Sequence, residues 1–229
     1  MLHAASKKGN QMNRRTFLSG SAIASIAAAG FRPRYVRAAK LVAQHGEIYR
    51  QLGVRPLINA AGTYTILTGS LLPERARRAM EEASRSFVRL EDLQKAVGER
   101  IAKLLDVESA MVTSGGAGAT MLATAACVTG AEAEKIRRVP NLDGMKSEVI
   151  IPHAHRNGFD HAARNVGVKL VEVETLDDLH RAIGPQTAML YFTNIFEHKG
   201  QIKRKEFIEA GKQAGIPVYN DAAAELPPA

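Results

Sequence analysis

The sequence predicts an α/β fold: a three-layer domain built on a mostly parallel sheet with helices on both faces. Two observations predict it. From residue 148 onward, short apolar β-rich runs alternate with amphipathic stretches of helical length, and strands joined by such crossovers pair in parallel. Ahead of them, Glu108 to Val128 changes period in the middle. Ser109 to Thr113 is an apolar run of strand length, Gly118 to Val128 is a helix of small residues, and Ser114-Gly115-Gly116-Ala117-Gly118 joins the two.

In chain order, residues 41–54 form a short amphipathic helix around Val42, Ile48 and Leu52. Arg55 to Tyr64 is extended and turn-rich, punctuated by Pro56 and Gly62. Pro73 opens a helix to about Phe87, since proline is favoured at the first helical position. Leu90, Leu93, Val97, Ile101, Leu104 and Leu105 share one face of the next helix. It leads into the expected strand Ser109 to Thr113. After the small-residue helix, Ala131 to Ser147 reads as a polar connection of mixed charge. Then come strand Glu148 to Pro152, helix Asn157 to Val166, strand Val168 to Val173, helix Leu176 to Ile183, strand Thr187 to Phe192, helix Arg204 to Ala214 closed by Gly215, and strand Ile216 to Asn220 ending on Asp221.

Charge is unevenly placed. Eight of the 31 basic residues lie in residues 1–40 with no acid, which leaves 23 basic against 23 acidic residues beyond. The basic balance belongs to the N-terminus and argues against a nucleic-acid footprint on the folded part. Asn13-Arg14-Arg15-Thr-Phe17-Leu18-Ser19 resembles a twin-arginine export signal, departing from it at Asn13 and Ser19. Leu18 to Phe31 follows without a charge and is too short and too weakly apolar for a good spanning helix. Val36-Arg37-Ala38 is a small-x-small cleavage site, and Met12 offers an alternative start. The expectation is a signal peptide over residues 1–39, a domain over residues 40–229, an exported protein and no stable membrane insertion after cleavage. The single cysteine, Cys127, lies on an apolar helix face and reads as a buried, inert thiol.

A strand, a glycine turn and a helix N-terminus make an anion site. The first N–H groups of a helix have no intrahelical partner, and the macrodipole favours negative charge there. Ser114, Gly115, Gly116, Ala117 and Gly118 therefore read as a phosphate cup, against the alternative of a plain tight turn. It is not a P-loop, for no G-x-x-x-x-G-K-[ST] is present. Nor is it a Rossmann fingerprint, because Met121 stands at the third glycine position. In open α/β sheets ligands sit at the carboxyl ends of strands, which singles out His153, His155, Asn194 and Asp221. Asp221 can face a cationic ring nitrogen or simply cap a turn. His155 can stack on a flat ring. Asn194 can donate to a phenolate oxygen or cap a turn. A His153–His155–His161 metal site lacks a completing acid or cysteine at ligand spacing, so no metal is expected.

The chain resembles the selenocysteine synthase-like family of fold-type-I pyridoxal phosphate enzymes, which includes L-seryl-tRNA(Sec) selenium transferase and D-glucosaminate-6-phosphate ammonia-lyase. The resemblance rests on Pro56-Leu-Ile-Asn-Ala-Ala-Gly-Thr63, Leu93-Gln-x-x-Val-Gly98, Val112-Thr-Ser-Gly-Gly-Ala-Gly118, His155-Arg-Asn-Gly-Phe-Asp-His161, Thr193-Asn194 and Asp221-Ala-Ala-Ala-Glu-Leu-Pro-Pro228. The ammonia-lyase branch is nearer, because the transferase branch carries a glycine–serine element after the aspartate. The resemblance implies pyridoxal 5'-phosphate held by Ser114 to Gly118, with His155 on the ring, Asn194 at its phenolic oxygen, Asp221 at its nitrogen and Ala223 beneath it. It implies a lyase removing ammonia or a β-substituent from a small amino acid or amino-sugar acid, working as a homo-oligomer. The alternatives are selenium-transferase activity and a non-catalytic binding or assembly subunit. The family's Schiff-base lysine follows a further strand beyond Asp221 and has no counterpart here. The expectation is thus a large domain without its small C-terminal partner.

Overall fold

The computed structural model describes residues 46–225, so the expected signal segment lies outside the described residues. The chain divides into two units, Met1–Phe87 and Val88–Ala229.

In the first unit, α1 (Glu47–Gln51) and α2 (Glu74–Ala83) flank a 3-10 turn at Thr65–Leu67. Asn59 organises the loop between the helices. Its Nδ2 donates to the carbonyls of Gly62 (2.7 Å) and Gly69 (3.2 Å), and its Oδ1 accepts from the Ala61 N–H (2.9 Å). Pro73 stands directly before α2, as expected, and Glu74 in the first turn pairs with Arg77 and Arg78.

The second unit carries the sheet. Its elements are α3 (Leu90–Leu105), α4 (Gly116–Thr129), α5 (Ala133–Arg138), β1 (Glu148–Pro152), α6 (His161–Arg164), β2 (Lys169–Val173), α7 (Leu176–Ala182), β3 (Thr187–Thr193), α8 (Arg204–Ala214) and β4 (Val218–Asp221). All described strand pairs are parallel, in the order β2-β1-β3-β4. β1 and β3 are central, and their apolar residues point alternately to two faces. Val149, Ile151, Met189 and Tyr191 pack with Val128 of α4 and with Ala163 and Val166. Ile150, Leu190 and Phe192 pack with Leu179 of α7 and with Phe207 and Ala210 of α8. Helices therefore cover both faces, and the three-layer parallel fold stands as the sequence implies.

Caps mark the boundaries. Thr175 and Asp178 form a reciprocal capping box at the start of α7. Gly215, at φ 64°, closes α8.

Three expectations need correction. Ser109 to Thr113 forms no ladder with the described strands. It is held instead from the side: Gln94 Nε2 donates to the Val112 carbonyl at 2.8 Å, and the Ala110 carbonyl lies so close to Gly98 that a Cβ there would come within 2.4 Å of it. The connection after α4 contains α5, whose exposed Lys135–Glu132 and Arg137–Glu134 pairs supply local helical support without an apolar stripe. The helix expected over residues 157–166 is α-helical only at His161–Arg164, since the Asp160 carboxylate draws in the Asn157 N–H and Arg156 and organises a turn there.

Candidate functional site

The carboxyl ends of β1 and β3 run into 3-10 turns at His153–His155 and Asn194–Phe196. The chain passes from β1 outward to β2 and then returns to the other side of β1 as β3. Such a reversal is where open α/β sheets bind ligands, outside the carboxyl ends of the strands, and Asp221 ends β4 on the other side of β3.

The glycine turn stands at the N-terminus of α4. Gly115 adopts φ 109°, a conformation that a side chain would strain, and it places α4's first turn outward. No side chain caps this helix and no acid occupies its first turn. Thr113 Oγ1 donates to the Gly115 carbonyl at 3.0 Å, which ties the approach to the turn. Ser114 to Ala117 are exposed and Gly118 is half-buried. A Cβ on Gly116 would meet the Ala223 methyl at 3.5 Å, so the loop after Asp221 lies against the turn. The structure thus brings Gly115–Gly118, Ala223 and Asp221 into one neighbourhood.

Asp221 is half-buried at the end of β4. Its Oδ1 accepts from the Ala223 N–H at 3.0 Å, and its Oδ2 accepts from the Tyr191 hydroxyl at 3.2 Å. Burial first, then the negative charge of Asp221, push the Tyr191 phenol above its ordinary pKa, so it remains a donor. Tyr219 touches the edge of the Tyr191 ring, with centroids 5.2 Å apart. Its hydroxyl lies 2.9 Å from Thr120 Oγ1, which in turn is 3.0 Å from the Gly116 carbonyl.

His155 and Asn194 are placed differently from an open shelf and a free amide. The His155 ring has no exposed surface and stands edge-on to Phe192, with centroids 4.4 Å apart. Its Nδ1 accepts from the Thr193 N–H at 3.2 Å, which puts the ring proton on Nε2, where it is buried without a hydrogen-bond partner. Burial holds the imidazole below its usual pKa. Thr193 is paired with Asp221 in the sheet, so the residue that bonds His155 on the β1 side is the register partner of Asp221 on the β4 side. Asn194 Oδ1 accepts from Arg204 Nη1 at 2.8 Å, and its amide donates to Glu225, four residues past Asp221. His153 is turned away, with Nδ1 2.5 Å from Glu172 Oε2 on β2. Beside it, buried Asp160 accepts from Arg156 Nε (2.6 Å) and Arg164 Nε (3.1 Å) and fixes the turn that follows His155.

Sequence reasoning missed Tyr191, Tyr219 and Thr120. Their hydroxyls gave no motif. The available signal was a pair of tyrosines, each an even number of residues before the ends of adjacent strands.

No family model matches the chain. Two curated proteins do. D-glucosaminate-6-phosphate ammonia lyase of Salmonella typhimurium is 29% identical over 189 residues, which is 78% of this chain and 51% of that protein. The 5'-C-glycyluridine monooxygenase-decarboxylase of a Streptomyces species is 30% identical over 195 residues, 79% of this chain and 49% of that protein. A solved structure of D-glucosaminate-6-phosphate ammonia-lyase superposes with a TM-score of 0.74 at 29% identity, covering 78% of this chain and 51% of that one. By that similarity the chain shares the fold of the fold-type-I pyridoxal phosphate enzymes. It spans about half the length of the curated relatives it matches.

Proposed function

We propose that this chain holds pyridoxal 5'-phosphate for a lyase reaction at the α-carbon of a small amino acid or amino-sugar acid, with loss of ammonia or a β-substituent. The observation that carries the proposal is the uncapped N-terminus of α4 lying against Ala223, two residues from the Asp221 carboxylate. A cofactor with a phosphate at one end and a basic ring nitrogen at the other fits this set: outward N–H groups at one end, an oriented carboxylate at the other.

Each residue then has a physical task. The N–H groups of Gly116 to Gly118 bind the phosphate, helped by the α4 dipole. Asp221 faces the ring nitrogen and favours its protonated form. Ala223 packs under the ring, where a larger side chain would fill the space beside Gly116. Asn194, held by Arg204 and Glu225, is the proposed donor to the phenolic oxygen. His155, buried against Phe192, is the ring proposed to stack on the cofactor. When bound, the cofactor supplies an electron sink for negative charge at the substrate α-carbon. The relatives' names support a lyase reading in part: one is an ammonia lyase, and the other is a monooxygenase-decarboxylase.

The same proposal includes export by the twin-arginine route, supported by Arg14 and Arg15, and assembly into a homo-oligomer. Exposed Met111, Val112, Met121 and Leu122 beside the turn support the latter. Size-exclusion chromatography with light scattering checks it, and a monomer at all concentrations would count against it.

The test of the site is an amide NMR titration of the full chain. Pyridoxal 5'-phosphate should move the Gly115–Gly118 and Asp221–Ala223 resonances together. Inorganic phosphate should move the first group only, and pyridoxal should bind more weakly than its phosphate. If pyridoxal 5'-phosphate moves neither group, the proposal is wrong.

A further inference from the structure

Each end of the proposed site rests on a tyrosine hydroxyl. Tyr191 on β3 and Tyr219 on β4 are register partners, and their rings meet edge to face at 80°. Thr120 has one hydroxyl proton, and it goes to the Gly116 carbonyl at 3.0 Å. In the 2.9 Å contact between Thr120 and Tyr219, the phenol is therefore the donor. Tyr219 thus holds the first turn of α4 through Thr120. Tyr191, with no exposed surface, donates to Asp221 Oδ2. The two rings join these contacts into one continuous path from the glycine turn to the carboxylate.

We propose that Tyr191 and Tyr219 are positioning residues forming a brace that sets the separation between the phosphate cup and Asp221. Tyr219 fixes the cup end and Tyr191 fixes the carboxylate end. What the two ends bind rests on the functional proposal above; the brace itself rests on contacts within the chain. Burial raises the pKa of both phenols, so both remain protonated donors at neutral pH. If the rings served packing alone, phenylalanine would do equally well at both positions. The hydroxyls reach two separate parts of the site, so their removal should have two separate effects.

The experiment compares full-length wild type, Tyr191→Phe and Tyr219→Phe, which keep the rings and remove one donor each. Tyr219→Phe should weaken inorganic phosphate binding at the Gly115–Gly118 amides by about three- to tenfold, the scale of one lost hydrogen bond. It should also speed hydrogen exchange of the Ala119 amide, which bonds to the Gly115 carbonyl. Tyr191→Phe should leave phosphate affinity within about twofold of wild type, since it lacks that bond. With ring-15N pyridoxal 5'-phosphate, Tyr191→Phe should shift the ring nitrogen toward its unprotonated resonance, and Tyr219→Phe should not. A cofactor-free arm follows 13Cζ-labelled tyrosines through a pH titration. Asp221→Asn should bring the Tyr191 midpoint down, and by more than that of Tyr219. If both phenylalanine variants match wild type in phosphate affinity, ring-nitrogen resonance and Ala119 exchange, the brace is refuted. Equal losses in both variants, tracking a common fall in melting temperature, also refute it. If the cofactor leaves the cup amides unmoved while Asp221→Asn still lowers Tyr191 and Tyr219→Phe still speeds Ala119 exchange, the cofactor proposal falls and the brace stands.

Discussion

Asp160→Asn tests the polar staple behind the site. The Asp160 side chain is 2% exposed and binds two guanidinium groups, Arg156 Nε at 2.6 Å and Arg164 Nε at 3.1 Å, plus the Asn157 N–H at 3.3 Å. Burial works to raise its pKa, but the bonds from Arg156 and Arg164 outweigh that, and the carboxyl is held below its ordinary value. Hydrogen bonds to charged groups contribute about 1.5–3 kcal/mol each. The two arginines are 33% and 51% exposed, so water can replace part of what they lose. Asparagine also keeps one acceptor oxygen. The net loss at pH 7 should be about 2 kcal/mol, which for a chain of this size is a fall of roughly 4–8 °C in melting temperature.

The pH dependence carries a definite sign. A carboxyl with a depressed folded-state pKa stabilises fully above its unfolded value, about 3.9, and that contribution is lost as pH falls through the folded value. Urea melts at pH 7 and at steps below pH 4 should therefore show a gap between wild type and variant that closes on acidification. An equal gap at every pH would refute the charge argument, and no gap at pH 7 would refute the staple.

Three further outcomes are expected. Gly98→Ala gains about 1 kcal/mol of helix propensity but drives a Cβ to within 2.4 Å of the Ala110 carbonyl. Overpacking of that kind costs about 1–3 kcal/mol, so the variant should melt at lower urea and show shifted amides at Ser114 and Gly115; a stabilised variant would mean that the segment gives way freely. Replacing Arg14 and Arg15 with lysine should trap the chain in the cytoplasm, whereas wild type should be cut near Ala39; wild type found uncut in the cytoplasm would end the export proposal. Residues 41–229 carry 23 basic and 23 acidic side chains, so no tRNA should bind at physiological salt, and a salt-sensitive gel shift at sub-micromolar protein would overturn this.

Much of this protein could be read from its residue order. Strand and helix periods between Glu148 and Asp221 determine alternating units, and short crossovers leave parallel pairing as the natural result. The glycine turn, its position before a helix, and an aspartate closing an apolar strand are local features, because backbone geometry and the hydrophobic period are written in neighbouring residues. Residue order also located the boundary at Gly215, where a left-handed cap needs no distant partner.

Tertiary structure decided the rest. Whether Ser109 to Thr113 becomes a strand depends on a neighbour to receive its hydrogen bonds, and its own apolar pattern cannot supply one. His155 satisfies every local criterion for a ring shelf, yet Phe192 and the Thr193 N–H draw it into the core, a choice made by residues 37 and 38 positions away. The Tyr191–Asp221 and Tyr219–Thr120 contacts span 30 and 99 residues. Hydroxyl partners at that separation leave no spacing to read, because they are set by which strands lie side by side and which helix crosses them.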